Sequence, residues 1–170
     1  ARDGRPTTGY RTRVNRSTLL KTGLATAVTA AAGAVATNPD SAWYRSLDKP
    51  RWQPPRAAFP VVWTPLYALV ALAGARALDA SGGADRRRRL RYAYGVDLAL
   101  NAGWSALFFR VRRPLLALAG IVALNAANVD LARRAWRADR LAGAALLPYL
   151  AWTGFATALN VAIAARNPGR

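Results

Sequence analysis

The side chains best suited to binding chemistry lie between residues 43 and 67, in the sequence WYRSLDKPRWQPPRAAFPVVWTPLY. This stretch holds three tryptophans, two tyrosines and five prolines. Two interpretations fit it. The aromatic rings could form a rigid loop at the level of the lipid headgroups, or the stretch could be a lid that grips a ligand.

The residue types that are missing exclude most conventional catalysis. The chain has no Cys, His or Met, and all eight acidic residues are Asp. A zinc site built on His or Cys, a Cys/His nucleophile pair and a Ser-His-Asp triad are therefore impossible. Of the usual axial ligands of haem iron, Tyr alone remains. We expect no metal site and no required cofactor, and a bound tetrapyrrole would have to be held by its ring and its carboxylates.

The elements that position these residues are predicted to cross a membrane. The chain of 170 residues is 53% hydrophobic and carries a formal net charge of +17. Its arginines cluster between long apolar blocks, which is typical of a membrane protein with basic loops. A soluble basic domain that binds nucleic acid would mix the two, so we expect a lipid bilayer and no nucleic acid as partner.

Five apolar stretches predict an all-α bundle of five transmembrane helices. They lie at residues 17–37, 57–78, 92–109, 115–135 and 141–165. Residues 1–16 are polar and rich in Arg, so we expect a disordered arm there and a single domain over 17–170. The first stretch is expected to be a retained helix, although a cleaved signal peptide also fits it. Its small residues would permit close helix packing: Gly23, Ala27, Ala30 and Ala34.

The loops between these stretches differ in their basic content. Prolines at 50, 54 and 55 exclude a regular helix or a central strand over residues 49–56. Residues 79–91 are interpreted as a solvated basic loop. The side that holds the N-terminus carries 16 Lys and Arg against 9 on the other side, which predicts a cytoplasmic N-terminus.

Two of the predicted helices carry aromatic and polar stripes. Trp63, Tyr67, Val70 and Gly74 share one helical face because they are spaced at i, i+4, i+7 and i+11. In the third helix, the polar and aromatic residues from 94 to 108 form a stripe that contains Asp97. An ionisable residue at membrane depth is costly, so Asp97 is expected to line or support a polar pocket unless it lies near the interface.

Polar residues in the fourth helix predict contacts between helices. Asn125 and Asn128 are spaced at i and i+3, and we expect them to make interhelical hydrogen bonds. Pro114 suits the first position of that helix. The end of the chain, ARNPGR, is interpreted as a plain polar terminus.

Four motifs together resemble one family. They are W-Y-x-x-L-x-K-P-x-W-x-P-P at 43–55, F-P-x-x-W-T-x-L-Y at 59–67, L-N-x-x-W-S-x-L-F-F at 100–109 and P-Y-L-A-W-x-x-F-A-T-x-L-N at 148–160. In this order they resemble the TspO/MBR family of tryptophan-rich sensory proteins, which is related to the mitochondrial translocator protein, or peripheral benzodiazepine receptor. The N-terminal arm and the run of four arginines at 86–89 lie outside the pattern.

The resemblance implies a five-helix bundle, commonly a homodimer, with a pocket beneath the connection between the first two helices. It implies binding of porphyrins such as protoporphyrin IX and haem. Matched by motif, the pocket would be built from Trp43 and Trp52 in the lid, and from four residues of the helices: Trp63, Asn101, Trp104 and Trp152. Helical spacing adds three more residues: Tyr67, Phe108 and Phe155.

The physical chemistry of the stretch agrees with that implication. A porphyrin is a large flat π-system, and a cage of aromatic faces suits it. Its propionates need cations, and Lys49, Arg51 and Arg56 lie beside the tryptophans. We expect Arg51 and Arg56 to steer the propionates while Trp63 and Trp152 contact the ring.

One departure from the family concerns sterols. The sterol motif of some relatives needs a Tyr near the end of the fifth helix, whereas this chain reads LNVAIAAR there. Such motifs are weak patterns, and we expect sterol binding to be poor or unspecific.

Three functions remain open from the sequence. The first is a porphyrin-binding membrane protein that senses, sequesters or moves its ligand under stress. The second is light-dependent breakdown of the porphyrin, assisted by Trp63 and Trp152. The third is a general small-molecule transporter or a scaffold for partner proteins. Because the composition is typical of a GC-rich bacterial genome, we expect the cell membrane of a bacterium.

Overall fold

The structure is a computed structural model, and it describes residues 14–169. This range contains seven helices and no strand, which confirms the all-α prediction. The helices are α1 (Arg16–Ala36), α2 (Ala42–Ser46), α3 (Ala58–Ala80), α4 (Ala84–Phe109), α5 (Pro114–Ala138), α6 (Arg140–Ala145) and α7 (Leu147–Arg166). Residues 1–13, which hold most of the predicted arm, lie outside the described part of the chain.

Four segments of the described chain are long and apolar enough to span a bilayer. They are α1, α3, α5 and the pair α6–α7, which forms one stretch of 27 residues. The remaining long helix is α4, with 26 residues. It is less apolar because it begins with a stretch that holds five arginines, and because Asp97 and Asn101 lie in its middle, where both are buried against neighbouring helices. With α4, the bundle has the predicted five long elements.

The predicted loop at 79–91 is wrong over most of its length. Chain reversal takes only residues 81–83, and Gly83 has a φ of 84°, a backbone conformation that glycine adopts without strain. Helix α4 then begins at Ala84, so the arginine run forms its first two turns. Arginine is a good helix former, and Asp85 in the first turn pairs with Arg88 and Arg89 at i+3 and i+4.

The last predicted span is interrupted. Helix α6 ends at Ala145 and α7 begins at Leu147. Pro148 lies in the first turn of α7, where its missing N–H removes no helical bond. A proline inside one continuous helix would have removed such a bond, so the chain turns at Leu146 instead.

Helix α1 uses a different face from the one that small residues predicted. Ala27 and Ala34 are exposed and no neighbour lies close to Gly23. Most of its buried side chains are those of four threonines: Thr18, Thr22, Thr26 and Thr29. Thr22 donates to the carbonyl of Ala71 (2.9 Å) in α3, and Thr26 shares a 2.6 Å bond with the hydroxyl of Tyr94 in α4. Hydrogen bonds therefore hold α1 to the bundle.

Two predictions about α5 are confirmed. The amide of Asn125 donates to the hydroxyl of Thr157 (2.7 Å), and Asn128 is bonded to Thr153, so both asparagines join α5 to α7. Pro114 is found in the first turn of α5, as predicted.

One of the two tightest helix contacts at a glycine of the described chain is between Gly74 of α3 and the ring of Tyr94. A Cβ at Gly74 would lie 2.5 Å from the Tyr94 ring, which cannot retreat without losing its bonds to α1. We expect Gly74→Ala to lower the free energy of unfolding by roughly 1–3 kcal/mol. Thermal denaturation in detergent would measure it. Gly103→Ala in α4 is the control, because no atom lies near a Cβ there, and equal melting temperatures for the two variants would contradict the prediction.

Candidate functional site

A cavity of about 340 Å³ opens between α3, α4 and α7. Residues 37–57, which join α1 to α3 and include α2, cover it, and we call them the lid. Its walls are mostly apolar, and among the described residues Arg56 is the one charged side chain that lines it. The volume lies near the lower end of the range for small-molecule sites.

Helices α3 and α7 supply an aromatic wall. Four rings meet there: Phe59, Trp63, Trp152 and Phe155. Trp152 stacks on Phe155 with ring centroids 5.3 Å apart and meets Trp63 edge to face at 6.5 Å. The Nε1 donor of Trp152 is buried and has no hydrogen-bond partner among residues 14–169. A buried donor without a partner is costly. A ligand that places a hydrogen-bond acceptor at this point would therefore gain affinity.

Helix α4 supplies the opposite wall through Trp104, Ser105, Phe108 and Phe109. The Nε1 of Trp104 donates to Asn160 Oδ1 at 3.2 Å, and the amide of Asn160 donates to the carbonyl of Pro114 at 3.0 Å. These bonds fix the indole against α7 and the start of α5. The wall is therefore rigid and already formed.

The lid closes the cavity with Tyr44, whose ring lies 5.3 Å from that of Phe109. Gln53 donates to the Tyr44 hydroxyl at 3.1 Å, and burial raises the pKa of Tyr44. The lid thus contributes the aromatic ring of Tyr44 to the cavity, together with Pro39 and Arg56.

Lys49 holds the lid itself together. Its Nζ donates to the carbonyls of Tyr44 (2.8 Å) and Leu47 (2.9 Å) and lies 4.9 Å above the Tyr44 ring. Desolvation, with the nearby Arg56 charge adding to it, lowers the pKa of Lys49. The ammonium group therefore completes the short helix α2, and Lys49 does not line the cavity.

Asn167 fastens the lid to the end of α7. Its amide oxygen accepts from the N–H of Asp48 (3.0 Å), and its amide nitrogen donates to the Asp48 carbonyl (2.9 Å) and to that of Ile163 (2.8 Å). Asn167 is buried. The interpretation of residues 165–170 as a plain polar terminus is wrong at this position, because no local pattern reveals a partner 119 residues away.

The structure brings six of the twelve predicted site residues to the cavity. Trp63, Trp104, Phe108, Trp152, Phe155 and Arg56 line it. Trp43 and Trp52 lie behind that first layer: Trp43 contacts Phe108 edge to face at 5.7 Å, and Trp52 contacts Phe155 in the same way at 5.7 Å. Arg51 is exposed on the lid and does not line the cavity.

Tyr67 and Asn101 lie beneath the cavity floor. The Tyr67 ring stacks on Trp63 at 5.1 Å, and its hydroxyl donates to Asn101 Oδ1 at 2.8 Å. Asn101 in turn donates to the Tyr149 hydroxyl at 2.9 Å. These groups set the orientation of Trp63 from below.

Asp97 ends this hydrogen-bonded chain and is fully buried. It accepts from the Tyr149 hydroxyl at 3.3 Å and from the amide of Asn128. Within residues 14–169 it has no ion pair. Asp97 therefore supports the site from below, as one of the two predictions has it. The alternative, a position near the membrane interface, is wrong because the side chain is fully buried.

Several residues of the site were not among the predicted ones. Tyr44 and Phe59 lie inside the quoted motifs, so their aromatic character could have identified them. Asn160 is also in a motif, and its partner Trp104 lies 56 residues earlier. Gln53 sits between the prolines of the lid, where the sequence gives no indication that it contacts Tyr44.

Comparisons with known proteins agree on one family. The profile of the TspO/MBR family matches residues 22–166. The chain is 36% identical over 146 residues to the tryptophan-rich protein TspO of Chlorobaculum tepidum, covering 86% of this chain and 92% of that protein. It is 38% identical over 136 residues to the tryptophan-rich sensory protein of Cereibacter sphaeroides, covering 77% and 83%. It is 33% identical over 129 residues to the translocator protein of Sus scrofa, covering 75% and 76%.

Proposed function

The chain belongs to the TspO/MBR family and is a multi-pass membrane protein, and from this premise we propose that its aromatic cavity binds porphyrins such as protoporphyrin IX and haem. The binding serves to sense, sequester or move the ligand. The observation that carries the proposal is the rigid cage of rings on α3, α4 and α7 beneath a separate lid. Flat π-systems bind well against such edge-to-face walls.

The position of the lid bears on how a macrocycle enters. A porphyrin is larger than most ligands of a cavity of about 340 Å³. The walls are fixed by Asn160 and the chain below Trp63, whereas the lid is fastened by few bonds. We therefore propose that the lid lifts to admit the ring and that the walls stay in place.

The propionates are proposed to bind at Arg56. Its guanidinium lines the cavity and pairs with Asp40 and with the carbonyl of Pro39. Since a guanidinium has five donors, a propionate can share it or displace Asp40. Arg51 and Lys49 remain candidates for steering the ligand during its approach.

Substitutions of Arg56 or Asp40 should change the affinity only for porphyrins that carry carboxylates. We expect Arg56→Ala to weaken protoporphyrin IX binding and Asp40→Asn to strengthen it, each by roughly two- to fivefold, because the pair is exposed to water. Arg45→Ala is the matched control, because this exposed arginine of the lid does not line the cavity. Affinities come from titration with protoporphyrin IX and with etioporphyrin, which has no propionates. Equal changes for the two porphyrins would contradict the assignment.

The function is tested by titrating the purified protein with protoporphyrin IX in the dark and then under illumination. Tryptophan quenching and the Soret band report binding. Saturable binding that is stable in light supports sensing, storage or carriage. Absence of saturable binding would refute the proposal and leave transport of another small molecule, or a scaffold, in its place.

Light-dependent porphyrin breakdown is a second candidate. It is favoured by the direct contact of Trp63 and Trp152 in the wall, where both indoles can meet the ligand. Loss of the Soret band in light and air that disappears in Trp63→Phe and Trp152→Phe variants would support it. Unchanged breakdown in those variants would refute the role of both residues.

Transport and assembly need separate measurements. Net porphyrin flux into proteoliposomes would distinguish a carrier from a store. The homodimer implied by the family is proposed for this chain too, and light scattering of the detergent complex measures it. Sterol binding is expected to be weak, and stoichiometric crosslinking of a labelled sterol to α7 would contradict that expectation.

A further inference from the structure

We propose that the basic end of the seam between α4 and α5 binds an anionic phospholipid, with the headgroup phosphate among the arginines and an acyl chain along the two helices. The site lies outside the aromatic cavity and does not depend on its ligand. It uses the run of arginines at 86–89, which the family motifs do not include.

The seam contains two adjoining hollows. The outer hollow lies at the turn before α4 and is bounded by Arg86, Arg89, Arg134 and Arg137. The inner hollow continues along the bundle and shares Arg89 and Arg134 with the outer one. Together they form one groove that changes from basic to apolar.

The inner half of the groove has the character of an acyl-chain site. Ala93, Val96 and Ala127 form its apolar lining, and Tyr92 stands beside them with 76% of its surface exposed. Exposed tyrosines are typical of the boundary between headgroups and hydrocarbon. The small side chains of Ala93 and Ala127 leave the space that a chain would fill.

The outer half has the charge for a phosphate. Five arginines and two aspartates border the two hollows, which leaves three positive charges. Asp85 pairs with Arg88 and Arg89, and Asp130 pairs with Arg134. Arg86 and Arg137 are exposed and have no carboxylate partner within residues 14–169. One cation is thus available on each side of the seam, Arg86 on α4 and Arg137 on α5.

The preference of basic loops for one side of the membrane explains the sign of this charge but not its arrangement. A solvated loop needs no groove, and it needs no apolar continuation toward the bilayer. Basic pockets between transmembrane helices are known to recognise anionic headgroups. A phospholipid supplies a phosphate and a chain at the right separation, and the bilayer delivers it, so we favour it over a soluble phosphate compound.

The test is native mass spectrometry of the full chain in detergent, titrated with phosphatidylglycerol, with phosphatidylcholine and with inorganic phosphate. Phosphatidylglycerol should bind saturably at one site, more tightly than phosphatidylcholine. Inorganic phosphate should compete weakly because it has no chain. Arg86→Ala/Arg137→Ala should weaken phosphatidylglycerol binding at least tenfold, since each arginine near a membrane surface contributes roughly fivefold.

Two controls separate this site from general attraction between opposite charges. Arg45→Ala/Arg113→Ala removes the same charge from exposed positions in the lid and before α5, and should leave binding unchanged. Ala127→Trp fills the inner hollow and should weaken the binding of phosphatidylglycerol but not that of inorganic phosphate. Equal losses in both arginine pairs, no loss in either, or inorganic phosphate binding as tightly as the lipid would each overturn the proposal.

Discussion

A Trp63→Leu variant is expected to bind protoporphyrin IX roughly thirtyfold more weakly than the unaltered protein, as losing an aromatic stacking partner commonly costs 1–3 kcal/mol. Trp63 is held from three sides: its ring stacks on Tyr67 and meets Tyr149 and Trp152 edge to face. It therefore presents a preset face to the ligand. Leucine retains apolar volume but offers no flat surface, so the loss measures the stacking.

The matched control is Trp136→Leu in α5. That indole is 46% exposed and lies against Gly143, away from the cavity. Porphyrin titration by Soret absorbance should give an unchanged affinity for it. Melting temperatures of both variants must be compared, because a fall for Trp63→Leu alone would attribute the loss to unfolding. A stable Trp63→Leu protein with full affinity would contradict the proposed cavity.

The aromatic half of the site could be predicted from the sequence because its residues lie on regular helices. Trp63 and Tyr67 are four residues apart and stack as the helical period requires. Asp97 could be assigned to the interior by the cost of a charge at membrane depth. Its particular partners, Tyr149 and Asn128, depend on how three helices pack, which no local pattern encodes.

The two main errors had physical causes that the composition concealed. The arginines at 86–89 were predicted to be a loop because they are strongly charged. Arginine nevertheless favours a helix, and Asp85 in the first turn stabilises its start. In α1 the small residues gave the more familiar packing signal. The threonines form the packed face instead, because their hydroxyls can bond both to their own helix and to α3 or α4.

The cationic lid residues could be predicted as a group, but their individual positions could not. Lys49, Arg51 and Arg56 are near neighbours in the chain, and the structure gives each a different environment. Lys49 binds backbone carbonyls, Arg51 faces outward and Arg56 lines the cavity. The prolines fix these directions, since each restricts the backbone of two residues.

The lid should open far more often when Asn167 is replaced. Two hydrogen bonds join its amide to Asp48, and each contributes about 0.5–1.5 kcal/mol, so Asn167→Ala should raise the open fraction roughly thirtyfold. The Tyr44 ring is buried against Phe109 while the lid is closed, so the rate at which hydroxyl radicals label Tyr44 reports the opening. Asn167→Asp keeps the acceptor but loses the donor. Its open fraction should lie between those of the unaltered protein and of Asn167→Ala.

The same variant decides whether the lid is the route into the cavity. If the ligand enters beneath the lid, both the association and the dissociation rates of protoporphyrin IX should rise with the labelling rate of Tyr44, while the equilibrium affinity changes less. Asn38→Ala is the control, because its exposed side chain lies in the lid and bears none of the bonds to α7. Faster labelling of Tyr44 with unchanged porphyrin kinetics would contradict entry beneath the lid. The porphyrin would then enter between the helices. The substitution leaves the wall formed by Trp104 and Asn160 in place, so the rate of entry by that route would not change.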